Sequence, residues 1–177
     1  MVSSGAVRFV LLLRGINVGG HRRMPMADLR RVLSELGCSD VQTYIQSGNA
    51  VFSSDRGEAE LLAIISAALD AEFGFPVTIT LRTADDWQAL SSPYPAGKQT
   101  HVAFLSQLPD PERVLALQAQ DLAPDLWTLN GRDLHLYYPN GTQAARLTHA
   151  LLERRLGVPA TVRNWQAVEA LTKLLSR

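Results

Sequence analysis

Cysteine is almost absent. The 177 residues contain one, Cys38, so the chain can close no internal disulfide and offers no thiolate pair for zinc or an iron–sulfur cluster. A reducing compartment suits such a chain, and Cys38, which follows a helix-ending glycine without a flanking catalytic pattern, reads as a small, partly buried thiol. An excess of one charge sign is also lacking. Lys plus Arg and Asp plus Glu each total 17, which removes any whole-molecule field toward nucleic acid or an anionic membrane and leaves anion binding to local clusters. The apolar run Phe9 to Leu13, flanked by Arg8 and Arg14, is far shorter than the roughly 20 residues a membrane span needs. No secretory segment, acylation signal or low-complexity tract is visible, so a cytoplasmic location without a membrane partner is expected. The four histidines stand in no metal-ligand spacing, and no Gly-x-Ser-x-Gly elbow occurs. Asp85-Asp86 before Trp87 reads as the start of a short helix rather than a catalytic pair. Neither a metal nor a cofactor is assigned.

What is present is apolar patterning, with 46% hydrophobic residues, enough for a core in one domain or two small, closely packed halves. Val7 to Arg14 predicts a strand buried on both faces. Met26, Leu29, Val32, Leu33 and Leu36 recur at helical spacing up to Gly37. Val41 to Gln46 and Asn49 to Ser53 predict a hairpin around Ser47-Gly48. A second amphipathic stripe runs from Leu61 to Phe73, followed by an alternating strand from Pro76 to Arg82. The order β-α-β-β-α-β then recurs. His101 to Ser106 predicts a strand, and Asp110-Pro111 opens a helix to about Leu122, with Asp as cap and proline at its first position. Trp127 to Leu129 and Asp133 to Tyr138 flank an Asn130-Gly131 turn. A helix carrying Leu147 and Leu151 ends at Gly157, an extended piece lies near Ala160 to Val162, and a last helix carries Val168, Leu171 and Leu175. The expected fold is therefore α+β: two ferredoxin-like halves, 1–83 and 84–177, packed into one compact unit, with an extra C-terminal helix. The repeat rests on element order, since the two halves share no visible sequence likeness.

The segment from Gly15 to Met24 is longer than the usual strand-to-helix connection, and long loops tend to carry function. Up to Ser34 the chain holds six arginines (Arg8, Arg14, Arg22, Arg23, Arg30, Arg31) against one acid, Asp28. Glycine backbone, forked arginine donors and a helix N-terminus are together suited to a phosphate or carboxylate. The loop matches neither the phosphate-loop nor the dinucleotide pattern, and glycines that only turn the chain beside solvated arginines would look the same. In a split β-α-β unit the end of the first strand lies on the same sheet edge as the turn between the second and third. Arg14 to Gly20 should therefore converge with Gln46, Ser47, Gly48 and Asn49, although tight-turn chemistry alone accounts for Gly48 and Asn49. Asn164 is placed to cap the last helix and Trp165 to make its first core contact. That leaves Arg163 to pair with a carboxylate, bind an anion or lie exposed. Phe9 and Phe52 fall on central strands that carry bases in some RNA-binding sheets, but without the aromatic string they read as core.

Three segments carry a resemblance: Leu12-Leu13-Arg14-Gly15-Ile16-Asn17-Val18-Gly19-Gly20, then Thr43-Tyr44-Ile45-Gln46-Ser47-Gly48-Asn49 with Val51-Phe52, then Arg163-Asn164-Trp165. In this order, across nearly the whole chain, they resemble the bacterial domain-of-unknown-function family number 1697. The resemblance implies an α+β fold of two ferredoxin-like halves and brings no activity, substrate or cofactor. Family members commonly carry a lysine-bearing segment where this chain has His21-Arg22-Arg23, and often Asn-Thr-Val where it has Gln166-Ala167-Val168. The second departure weakens the transfer of a polar site to the last helix.

Three functions follow as expectations. The first is a binding module for an anionic ligand (a nucleotide, a phosphorylated metabolite or nucleic acid) held by Arg14, Gly15, Asn17, Gly19, Gly20, Arg22, Gln46, Ser47, Gly48 and Asn49, with Arg163. The second is a small enzyme acting on a phosphorylated or carboxylated substrate, with Asn17, Gln46 and Asn49 orienting it and His21 as the least unsuitable base. The third is an assembly or regulatory protein whose motifs are structural. No catalytic residue is assigned.

Overall fold

The computed structural model describes residues 5–177. They form two compact units, one comprising the chain up to Leu90 together with Ala170–Arg177 and the other Ser91–Glu169. Among the described residues no helix is long and apolar enough to cross a membrane.

The first unit contains β1 (Val7–Arg14), α1 (Met26–Glu35), β2 (Ser39–Thr43), β3 (Asn49–Ser54), α2 (Glu58–Phe73), β4 (Thr78–Thr83) and the short α3 (Ala84–Gln88). Its antiparallel sheet has the order β2-β3-β1-β4, the split arrangement that the element order predicts. Strand alternation sends Phe9, Leu11 and Leu13 of β1 into one core with Leu29 and Leu33 of α1 and Leu61, Ile65 and Leu69 of α2. Val10 and Leu12, on the opposite face, are equally buried, so β1 is covered on both sides as its unbroken apolar run requires. Phe9 and Phe52 stack at 5.8 Å within this core and are no base-binding platform. Cys38 is buried, which pushes its thiol pKa up against the opposing pull of Arg56. β2 is displaced from the expected Val41 to Gln46: it spans Ser39–Thr43, and after Tyr44, whose amide still donates to the Asn49 carbonyl at 2.9 Å, the chain bends at Ile45 with φ 50°.

The second unit repeats the plan with β5 (Thr100–Leu105), α4 (Pro111–Gln118), β6 (Leu126–Asn130), β7 (Asp133–Tyr137), α5 (His149–Leu156) and β8 (Ala160–Asn164), ordered β6-β7-β5-β8. α6 (Trp165–Leu175) follows β8 directly. Three local expectations need correction. Asn130 pairs with Asp133, so the hairpin turns at Gly131-Arg132, with only Gly131 at positive φ (62°); a glycine at the first central position is what a type II′ turn asks for. Leu147 precedes α5, whose cap is Thr148, and lies with Leu152 in the core of this unit, the two positions of a hydrophobic staple. Trp165 is half-buried at the start of α6 rather than in the core, whereas Asn164 caps the helix as expected, its Oδ1 accepting from the Ala167 amide at 2.9 Å. The Tyr138 hydroxyl donates to the Leu147 carbonyl at 2.9 Å. Burial, with Asp125 nearby, pushes the Tyr138 phenol pKa up to about 12.

Candidate functional site

Antiparallel pairing of β1 with β3 places Leu12 opposite Asn49, and the Leu13 amide donates to the Gly48 carbonyl at 2.8 Å. The β1–α1 loop and the β2–β3 turn therefore meet at one sheet edge. The loop is a built object. Asn17 N–H donates to the Arg22 carbonyl at 3.0 Å, Val18 bridges His21, and Gly19 and Gly20 between them have φ of 59° and 77°. Positive φ at both central positions is the type I′ turn, which only residues such as glycine adopt cheaply.

Asn17 is the staple of this edge. Its Nδ2 donates to the carbonyls of Met24 (2.9 Å) and Gln46 (2.7 Å), and its Oδ1 accepts from the Met24 amide (2.8 Å). Arg22 closes the loop from the other side: its Nε donates to the Gly15 carbonyl at 2.7 Å, a second nitrogen reaches the Pro76 carbonyl, and the guanidinium lies 4.7 Å from the Phe75 ring centroid. Asn49, fully buried, donates to the Tyr44 carbonyl and to Ser47 Oγ, each at 3.0 Å. Gly48 sits at φ 91°, and a Cβ there would lie 2.6 Å from Leu13 Cβ and 2.9 Å from Ile16 Cδ1. No other residue fits, since both the backbone angle and the approach exclude a side chain.

The six arginines of the N-terminal stretch separate by what holds them. Arg8 donates to Ser53 Oγ at 3.1 Å. Arg14 ends β1 opposite Thr78, on the face of Val10 and Leu12 rather than the face that carries α1. Arg31 pairs with Glu72 and, at 3.1 Å, with Glu35; these partners raise its pKa. Arg22 is engaged as described. Arg23 and Arg30 remain, and both line a depression of about 430 Å³ with Asn17, Gln46, Pro25, Met26 and Ala27. Arg30 also donates to Thr43 Oγ1 at 2.5 Å. The depression lies at the opening of α1, where Pro25 occupies the cap position and supplies no side-chain acceptor. The Asp28 amide donates to the Pro25 carbonyl at 3.0 Å, and the amides of Met26 and Ala27 open the helix at its positive end.

Asn17 and Gln46 thus belong to this depression, whereas Gly15, Gly19, Gly20, Ser47, Gly48 and Asn49 shape the loops around it. Arg163 lies in the second unit on β8 opposite Val102; its guanidinium donates to the Val162 carbonyl at 3.1 Å, and burial lowers its pKa to about 10. Arg23 and Arg30 were not singled out from the sequence. A signal for Arg30 exists: it follows Met26 by four residues, which places it over the opening turn of α1. No carboxylate, imidazole, hydroxyl or thiol lines the depression, and His21 is exposed on the loop. Among the described residues no group of three or more His, Cys, Asp or Glu side chains is placed to hold a metal ion.

A family model described as protein of unknown function (DUF1697) matches residues 7–135. No curated protein sequence matches the chain. Among solved structures the chain is similar to the conserved bacterial protein SP0830 from Streptococcus pneumoniae, with a TM-score of 0.78 and 24% identity over 96% of this chain and 99% of that one. At that identity the likeness bears on the fold.

Proposed function

The chain belongs to the DUF1697 family of proteins of unknown function, and from that premise, which supplies no activity, we propose that it is a binding module for a phosphate-bearing small molecule at the opening of α1. The observation that carries this reading is the helix start itself, which lacks a side-chain cap and faces a depression walled by Arg23 and Arg30. Two guanidinium forks, the helix-opening amides of Met26 and Ala27 and the macrodipole all favour an oxyanion at this one place. The volume, about 430 Å³, is within the range of about 300 to 1,000 Å³ of small-ligand sites, which suits a nucleotide or a phosphorylated metabolite. Because the lining holds no proton acceptor of catalytic type, binding is favoured over turnover.

The hydrogen bonds of Asn17, Arg22 and Asn49 support a division of labour within the motifs. These residues, with Gly48, build the edge, and Arg23 and Arg30 present charge on it. The test is a calorimetric titration with inorganic phosphate, pyrophosphate and nucleoside mono- and diphosphates, on the parent and on an Arg23→Ala/Arg30→Ala variant. Saturable binding that weakens by about tenfold or more in the variant supports the reading, since each charged hydrogen bond is worth about 1.5 to 3 kcal/mol. Equal affinity in parent and variant would sink it. If a single-stranded oligonucleotide binds instead, with affinity falling steeply as salt rises, the ligand is a nucleic-acid backbone rather than a small phosphate.

A further inference from the structure

A second depression, of about 200 Å³, lies wholly within Ser91–Glu169. Pairing of β5 with β8 sets His101 opposite Asn164 at the end of the sheet. α6 starts at the next residue, so Trp165 and Glu169, four apart, share one helix face beside them. Lys98, from the segment before β5, completes the lining with Gln166. The volume is below the range of about 300 to 1,000 Å³ for drug-sized ligands, so the occupant is small.

The chemistry of the walls is mixed in a definite way. Lys98 and Glu169 are both exposed, and neither makes an ion pair or hydrogen bond among the described residues. Trp165 shows part of its indole. His101 is held edge-on against Tyr138, ring centroids 5.4 Å apart, with the Gln99 backbone beside it. One cation and one anion in so small a space disfavour a ligand of net charge and complement one that carries both signs.

We propose that this depression binds a small zwitterion of the free amino-acid class, its ammonium held by the Glu169 carboxylate against the Trp165 ring and its carboxylate by Lys98. The indole face attracts a cation. The site shares no residue with the depression at α1, so the two proposals stand or fall separately.

The experiment is titration of the full chain with the standard free amino acids, each in turn at millimolar concentration, followed by tryptophan fluorescence and calorimetry. At least one should bind, with its N-acetyl and carboxamide derivatives about tenfold weaker or worse, because each lacks one charge. Glu169→Gln and Lys98→Met should each cause a comparable loss while leaving the melting temperature in place, both residues being exposed. The Arg23→Ala/Arg30→Ala variant should bind the amino acid like the parent. Absence of binding by every amino acid, undiminished binding of the derivatives, or parental affinity in both Glu169→Gln and Lys98→Met would overturn the proposal.

Discussion

The two units start their first helices in opposite ways on the same plan. In the second, the connection from β5 to α4 runs only from Ser106 to Asp110; Asp110 then caps the helix, its carboxylate accepting from the Glu112 amide at 2.9 Å with proline next in line. In the first, the connection from β1 to α1 runs from Gly15 to Pro25, folds on itself through a type I′ turn, and ends on a residue that cannot cap by side chain. One helix start is capped by a carboxylate; the other has no side-chain cap, carries Asp28 in its first turn and has Arg23 and Arg30 beside it. The same contrast holds at the hairpins. β6 and β7 are joined by a minimal turn around Gly131, whose added Cβ would meet nothing within 4 Å, whereas the β2–β3 turn presses Gly48 onto Leu13 and Ile16. Helix capping and turn closure are generic needs that the second unit meets with standard residues. The first unit sets its unusual residues at one shaped edge, beside Arg23 and Arg30.

Paired substitutions sharpen this contrast. The largest effect is expected for Gly48→Ala, which adds a steric clash to a left-handed backbone and should lower unfolding free energy by about 3 kcal/mol, against about 1 kcal/mol for Gly131→Ala. Urea denaturation of the two variants tests this, and equal losses would remove the distinction between the hairpins. Asn17→Ala removes two hydrogen bonds to Met24 within the loop and one to Gln46 of the turn and should cost about 2 kcal/mol, with faster amide exchange at Met24 as its local signature. Exchanging the caps is subtler. Asp110→Ala should lose about 1 kcal/mol. Pro25→Asp should give α1 a capping carboxylate, raise the melting temperature slightly and compete with any bound phosphate; undiminished phosphate binding in this variant would separate the site from the helix start.

The smallest expected effect is the pH response. Burial holds His101 and His135, both in the second unit, below the usual imidazole value of 6.5. The unfolded chain therefore takes up protons more readily than the folded one, so this contribution is full above that value and is lost as pH falls below it. The urea midpoint should decline between about pH 7 and about pH 5, and the decline should shrink in His135→Gln. An identical decline in both proteins would contradict the assignment to His135.

Much of this fold could be read from apolar periodicity, because β1, α1, α2 and the β-α-β-β-α-β order are each set by local spacing and end signals. The convergence of the Asn17 loop with the Gln46 turn followed from topology as well. The role of each arginine was not legible, since it depends on facing: alternation turns Arg14 to the side of the sheet away from α1, and the left-handed backbone at Arg22 (φ 53°) goes with a guanidinium set on Gly15 and Pro76. Asn130-Gly131 misled because the dipeptide pattern does not say which residue pairs first; Asn130 joined the strand. The depression around Trp165 left the fainter trace. Lys98 and His101 stand far from Glu169 in sequence and meet it only through β5–β8 pairing.

The central claim, an anion site at the start of α1, is tested most directly by following backbone amide resonances of isotopically labelled protein during titration with pyrophosphate. Saturable shifts are expected at Met26 and Ala27, with the Glu112 amide, already satisfied by Asp110, as the unmoved internal control. Shifts that fail to saturate, or that are as large at Glu112 as at Ala27, would contradict it.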